Sequence, residues 1–427
     1  MEMRAPKGSF DIYPDAKERW QDTVYWHHAE NVFRHLASVY NFKEIRTPMF
    51  EHLELFQKGV GEGSDIVSKE MYNFLDKGGR ELALRPEGTA GVIRAYVENR
   101  LYTSSKSSKL YYIAPMFRYE RQQSGRYRQF HQFGAESIGL SSPLADVEII
   151  ELAWTLYKKL GLQNLQLFIN CVGDHESRKA YTQALKDFLD PKFNELSSDS
   201  KIRYQKNMLR ILDSKDLADQ KLLEGCPNIL EFLDDNRRAH FETVLKKLDE
   251  LGIKYQVDPK LVRGLDYYDS TVFEIIAMKD HERGLTIGGG GRYDGLIESY
   301  SGPKTPAVGF GTGVERIIQT LIEQEANISL STPLVAYIIP LEESQHQLAY
   351  ILAHTLRSHD IACDVDLTGR KLKASLPYAS SQGAEFALIL GEDEMKDGKI
   401  KIKNLLTRQE ENVDKNSVIN FLSKNKS

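Results

Sequence analysis

One stretch, Lys109 to Gly139, constrains this chain more than any other: KLYYIAPMFRYERQQSGRYRQFHQFGAESIG. Two runs alternating apolar and polar residues flank a polar, arginine-rich tip containing Ser124–Gly125, the pattern of a strand, a loop and a returning strand. Alternate residues of a strand share a face, so Phe130, Gln132, Gly134 and Glu136 point the same way. That face offers a flat ring, an amide, a gap through which a ligand can approach the backbone, and a carboxylate. Arg118 ends the incoming run, while Arg121, Arg126 and Arg128 belong to the loop. Guanidinium forks match phosphate oxygens and a flat ring stacks on a base, so the set suits a nucleotide. The competing reading is an exposed basic hairpin with a polar face.

Other segments supply candidate partners for this wall. Residues 17–40 carry apolar residues at helical spacing, with His27, His28 and His35 read as surface or core-edge histidines rather than metal ligands. The NFKEIRTPMFE segment is a short strand pattern broken at Pro48, the mark of an edge or a bend, which a second subunit can cover. Residues 59–70 form a glycine-punctuated loop that lacks the GxxxxGK[ST] phosphate-binding pattern. ELALRPEGTAGVIRAYVENR runs from strand into helix, with Glu87 and Thr89 at the helix start. There a carboxylate either holds an ammonium group or caps the helix.

Arg263-Gly264-Leu265-Asp266-Tyr267-Tyr268 concentrates polar groups that are costly to bury unless used or paired. A structural turn held by an Arg–Asp bridge is the alternative. Gly288 to Gly291 follow a strand pattern and imply close backbone access for a ligand, or a flexible loop. Their spacing is not the GxGxxG of a dinucleotide fold. AVGFGTGVERIIQTLIEQ reads as a strand, a glycine-rich turn and a helix. Arg316 lies early in that helix, and Gly309, Gly311 and Gly313 leave room for a nucleotide against the backbone. The alternative for Arg316 is an exposed arginine paired with Glu315.

The chain has 427 residues, enough for two or three domains. Residues 1–325 read as one domain with a polar, helical insertion at 175–250. After a linker at 325–332, residues 333–427 alternate strands and helices, which predicts a small α/β domain with a largely parallel sheet. Arg370, Lys371 and Lys373 cluster on it, as a phosphate contact or a solvated helix face. No apolar run approaches ~18 residues, so no membrane span is expected. The first residues lack the apolar core of a secretory signal. Cys171, Cys226 and Cys363 are far apart, which predicts neither a zinc knuckle nor a disulfide framework and fits a reducing cytoplasm. A net charge of −5 excludes a generally basic nucleic-acid coat, so any nucleic acid is met by local patches.

Taken together, the Pro48 segment, the Phe117-Arg118-Tyr119-Glu120 hairpin with its loop, and GFGTGVER resemble the class II aminoacyl-tRNA synthetases. LVRGLDYY at 261–268 and GGGRYDGL at 289–296 narrow the resemblance to the bacterial-type histidyl-tRNA synthetase family, over nearly the whole chain. The resemblance implies an α+β fold: an antiparallel catalytic sheet flanked by helices, a helical insertion, and a C-terminal α/β anticodon-binding domain. It implies a cytoplasmic homodimer with the Pro48 segment at or near the interface. It also implies ligation of L-histidine to its tRNA through a histidyl-adenylate, with ATP and Mg²⁺.

Carried over onto this sequence, Arg118 holds the α-phosphate and carboxylate region, and Arg263 sits beside the reacting groups. Arg126 binds the outer phosphates. Phe130 and Arg316 sandwich the adenine. Glu87, Thr89 and Gln132 hold the α-amino group. Glu136 and Tyr268 read the imidazole nitrogens, with Tyr267 in the same histidine site. No metal-ligating residue is assigned. A synthetase-like regulatory subunit without catalysis is the main rival. It is expected to lose adenylate-site arginines or the tail domain, whereas Arg118, Arg263, Arg316 and the tail are all present here.

Overall fold

The structure is a computed structural model that describes residues 3–61, 64–120, 125–279, 282–328, 334–392 and 396–425, apart from the side chains of 282 and 283. Arg121 and Ser124 of the hairpin tip, part of the 59–70 loop and half of the expected linker lie outside the described residues. The chain forms two compact units, residues 1–329 and 330–427.

The first unit begins with α1 (Thr23–Val39), β1 (Lys43–Glu44), β2 (Phe50–His52), α2 (Leu53–Val60), β3 (Asn73–Leu75), β4 (Glu81–Leu84) and α3 (Thr89–Glu98). The Lys109–Gly139 stretch is the hairpin β5 (Ser108–Phe117) and β6 (Gln129–Ile138). There follow α4 (Pro143–Lys159), β7 (Leu165–Cys171) and the helical stretch α5 (His175–Leu189), α6 (Ser198–Lys206), α7 (Leu217–Leu222) and α8 (Asp235–Glu250). The unit closes with β8 (Tyr255–Val257), β9 (Thr271–Lys279), β10 (Glu282–Arg292), α9 (Leu296–Ser299), β11 (Ala307–Gly313) and α10 (Val314–Glu323).

Eight strands form one sheet in the order β1-β5-β6-β11-β10-β9-β7-β8. Its centre is antiparallel throughout, and only the edge pairs β1–β5 and β7–β8 are parallel. Side-chain parity splits β6 as its sequence requires. Phe133 faces back and stacks on Phe33 of α1, with ring centroids 4.6 Å apart. Glu136 faces forward, where Thr89 of α3 reaches it. A second, three-stranded sheet has the order β2-β4-β3.

Two glycine-rich segments depart from the sequence expectation. Gly288–Gly291 lie within β10, and Gly309–Gly313 lie within β11, so neither is a flexible loop or turn. Both strands are hydrogen-bonded on both sides in the middle of the sheet. That pairing overrides the weak strand preference of glycine.

The second unit contains β12 (Ala336–Pro340), α11 (His346–Arg357), β13 (Cys363–Val365), α12 (Leu372–Ser381), β14 (Phe386–Leu390), β15 (Lys399–Asn404), β16 (Glu410–Asp414) and α13 (Val418–Asn425). Strand order is β13-β12-β14-β15-β16. The β12 pairings are parallel, but β15 and β16 are antiparallel, so the sheet is mixed rather than largely parallel. β16 escapes sequence reading because EENVD has no apolar alternation and is mostly exposed. Arg370 is tied down locally: it lies 3.6 Å from buried Asp366 and 4.0 Å above the Tyr378 ring.

Candidate active site

The forward face of β6 carries a buried cluster of polar groups. Glu136 is wholly buried; its Oε1 accepts from Thr89 Oγ1 at 2.7 Å, and its Oε2 accepts from the Tyr293 hydroxyl. Burial pushes its carboxyl up to about 8, against the pull of those two donors. A side chain this size fits because the neighbouring strand places glycine opposite it. Gly309 is the register partner of Glu136, and a Cβ there would collide with the carboxylate. A Cβ at Gly311 would likewise collide with the Gln132 amide. The space at these glycines therefore belongs to Glu136 and Gln132, not to a nucleotide as the sequence suggested; only Gly313 faces open space.

The same logic holds on β10. A Cβ on Gly289 would stand 2.8 Å from Arg263 Nη1, and one on Gly291 would stand 2.8 Å from the Tyr268 ring. The glycine run makes room for the Arg263–Tyr268 turn. Tyr267, Tyr268 and Tyr293 form a buried aromatic group with centroids 4.7–6.3 Å apart. Burial raises all three phenols, so they remain O–H donors at neutral pH.

Glu87 does cap α3: its carboxylate oxygens accept from the Thr89 and Ala90 amides, each at 2.7 Å. Each oxygen keeps a second lone pair, so capping does not prevent it from meeting an ammonium group. Tyr112, Tyr293 and Glu274 join the site without having been singled out in the sequence. Tyr112 pairs with Gly134, and its hydroxyl lies 3.4 Å from Gln132 Oε1. Parity along β5 was the available signal, because cross-strand partners share a face.

Next to this cluster lies a cleft of about 1650 Å³ whose walls include Arg118, Arg126, Arg263, Arg316, Glu120 and Glu274. Arg118 Nε donates to the Pro86 carbonyl at 2.8 Å, and its guanidinium sits 5.3 Å above the Phe130 ring. Arg126 is 3.4 Å from Glu120. Arg316 donates to the Thr286 carbonyl at 2.7 Å and the Gly125 carbonyl at 3.2 Å. It is not paired with Glu315, whose carboxylate accepts from the His131 amide (2.8 Å) and lies 3.0 Å from His131 Nδ1. Burial, then Arg126 and Arg118, hold the Arg316 pKa below its ordinary value.

Arg263 pairs with Glu274, which also accepts from Thr286 Oγ1 at 3.1 Å. The alternative Arg–Asp turn is thereby excluded: Asp266 instead accepts from Asn207 Nδ2 at 3.2 Å. Burial opposes the Arg263 charge, but Glu274 holds its pKa above the ordinary value. Its Nε is buried and donates to no other group among the described residues.

The profile of the histidyl-tRNA synthetase family matches residues 21–317, and that of an anticodon binding domain matches residues 335–425. The chain belongs to the histidyl-tRNA synthetase family. A histidine–tRNA ligase of Protochlamydia amoebophila (strain UWE25) is 50% identical over 408 residues, covering 95% of this chain and 96% of that protein. One from Lactococcus lactis subsp. cremoris (strain MG1363) is 49% identical over 412 residues, covering 96% and 94%. The crystal structure of apo S. aureus histidyl-tRNA synthetase has a TM-score of 0.82 at 36% identity, covering 99% of this chain and all of that one. The fold accordingly comprises a class II catalytic domain and an anticodon-binding domain.

Proposed function

We propose that the chain ligates L-histidine to its tRNA, first forming histidyl-adenylate from ATP and then transferring histidine to the 3′-terminal adenosine. One observation carries the assignment of the site. Arg263 belongs both to the turn that bears Tyr267 and Tyr268 and to the wall of the arginine-lined cleft.

In this reading Glu87, Thr89 and Gln132 hold the substrate ammonium group. Glu136 and Tyr268 meet the imidazole nitrogens, with Tyr267 and Tyr293 closing the pocket. A site that hydrogen-bonds a substrate's polar groups rejects analogues lacking them by ~10⁴ or more in favourable cases. Phe130 and Arg316 enclose the adenine, and Arg126 meets the outer phosphates. The histidine carboxylate attacks the α-phosphorus and pyrophosphate leaves. Negative charge gathers on the phosphate oxygens, where Arg118 and Arg263 are already fixed, so little reorganisation is needed.

Mg²⁺ fits the same cleft. No group of three or more metal-ligating side chains occurs among the described residues, but Mg²⁺ usually takes one or two carboxylates and fills its shell with water and phosphate. Glu120 and Glu274 face the cleft, with Glu120 Oε2 3.4 Å from Arg126 Nη1. Bound there, Mg²⁺ would neutralise charge on the outer phosphates.

The homodimer and the cytoplasm belong to the same proposal. Phe50 and Phe74, on the same face of the three-stranded sheet, are 54% and 44% exposed, an apolar face suited to a second copy. The three cysteines are unpaired, and no helix among the described residues is long and apolar enough to cross a membrane. Arg263→Ala tests the chemical assignment. Histidine binding should stay near the parent value while the single-turnover rate of adenylate formation falls by about 10²-fold or more. An unchanged rate would remove Arg263 from the mechanism.

A further inference from the structure

The helical stretch α5–α8 has no part in the reading above, yet its side chains hold the turn on which that reading depends. Arg263–Tyr268 lies outside any helix or strand. A segment without a hydrogen-bonded ladder is held by whatever packs on it. Here part of the packing comes from the insertion. Tyr181, Met208, Ile211 and Leu212 belong to the same buried cluster as Tyr267 and Tyr268.

The polar ties are more specific. Arg178 Nη1 of α5 donates to the Tyr268 carbonyl at 3.1 Å. Arg210 Nη1 donates to the Arg263 carbonyl at 3.3 Å, and its Nη2 lies 3.5 Å from Asp65 Oδ2. Asn207 Nδ2 donates to Asp266 Oδ1 at 3.2 Å. These contacts fix the turn at its first residue, its middle and its last, while the Asp266 amide is anchored from elsewhere by the Val60 carbonyl at 3.1 Å.

We propose that Arg178, Asn207 and Arg210 are positioning residues for histidine adenylation: they set the backbone of the turn that presents Arg263 to the reacting groups and Tyr268 to the imidazole. The insertion thus serves the first chemical step, before any tRNA is bound. Displacing a catalytic group by about 1 Å can cost about 10²-fold in rate, and positioning within about 0.5 Å is what such supporting contacts supply. The ties divide the labour. Arg210 holds the carbonyl of Arg263 and therefore governs turnover; Arg178 holds the carbonyl of Tyr268 and therefore governs histidine binding.

This inference rests on the adenylation reading, so the test uses the full chain, ATP, histidine and labelled pyrophosphate, with no tRNA. Parent protein without histidine-dependent exchange would overturn that reading and this inference with it. Given exchange, Arg210→Ala should lower kcat per titrated active site by about ten- to hundred-fold, and Arg210→Lys should recover part of the loss. Arg178→Ala should raise KM for histidine by about tenfold and leave KM for ATP alone. Asn207→Ala, which removes a short polar group and should fold normally, should lower kcat severalfold at the parent melting temperature. Lys201→Ala, whose ammonium donates to the Asn194 carbonyl inside the insertion, should match the parent. Parent exchange constants in Arg210→Ala, Asn207→Ala and Arg178→Ala, with defects appearing only when tRNA is charged, would overturn the proposal. So would losses that follow the number of titratable sites and leave KM for histidine untouched in Arg178→Ala.

Discussion

At the scale of single residues, Glu136 combines an unfavourable position with the imidazole contact proposed for it. Its carboxyl is wholly buried, receives two hydroxyl donors, and titrates at about 8 instead of the ordinary 4.5. The folded chain therefore binds this proton between about 4.5 and 8, where the unfolded chain has released it. Stability from this group is complete below about 4.5 and is lost as pH rises through about 8. Glu136→Gln removes the titration. Its melting temperature relative to the parent should climb as pH rises across that window and level off above it. A difference that stays flat with pH would show that Glu136 is ionised in the empty site. Sequence parity places Glu136 on the ligand face, because a strand has period two. Its partner Tyr293, 157 residues away in the chain, carries no such signal. Glu274 is equally silent in the sequence, since its link to Arg263 depends on the path of the turn. The cap made by Glu87 was legible, because a carboxylate at a helix start has few other local partners.

At the scale of elements, β10 and β11 explain how a crowded polar site fits against a sheet. Their glycines are not hinges but recesses that receive Arg263, Tyr268, Gln132 and Glu136. A glycine run in a sequence signals a loop, since glycine has little strand preference. Only the register of the sheet reveals which side chain each recess holds. Gly309 gives the sharpest test, because its added Cβ would overlap the Glu136 carboxylate. Gly309→Ala should raise KM for histidine by about tenfold, the loss expected when one hydrogen bond to an uncharged carboxyl is removed. ATP affinity should be preserved, since the cleft arginines are untouched. A parent KM for histidine would mean that Glu136 does not read the substrate. The hairpin β5–β6 was legible in its alternation, and the tail strand β16 was not, for want of any apolar pattern.

At the scale of the molecule, the alternation of strands and helices in the tail and the polar, helical character of 175–250 were both visible in composition and rhythm. The antiparallel order of the eight-stranded sheet was not, because pairing between distant strands leaves no local trace; it came from family resemblance. The exposed apolar face of the three-stranded sheet gives the assembly a test of its own. Phe74→Glu should shift sedimentation of the full chain from the proposed dimer toward a monomer, and unchanged sedimentation would place the interface elsewhere. The central claim is that one site joins histidine to ATP, and histidine-dependent ATP–pyrophosphate exchange measures that directly. The account predicts exchange with L-histidine that other amino acids do not support. Exchange that is absent with histidine, or equal with other amino acids, would contradict it.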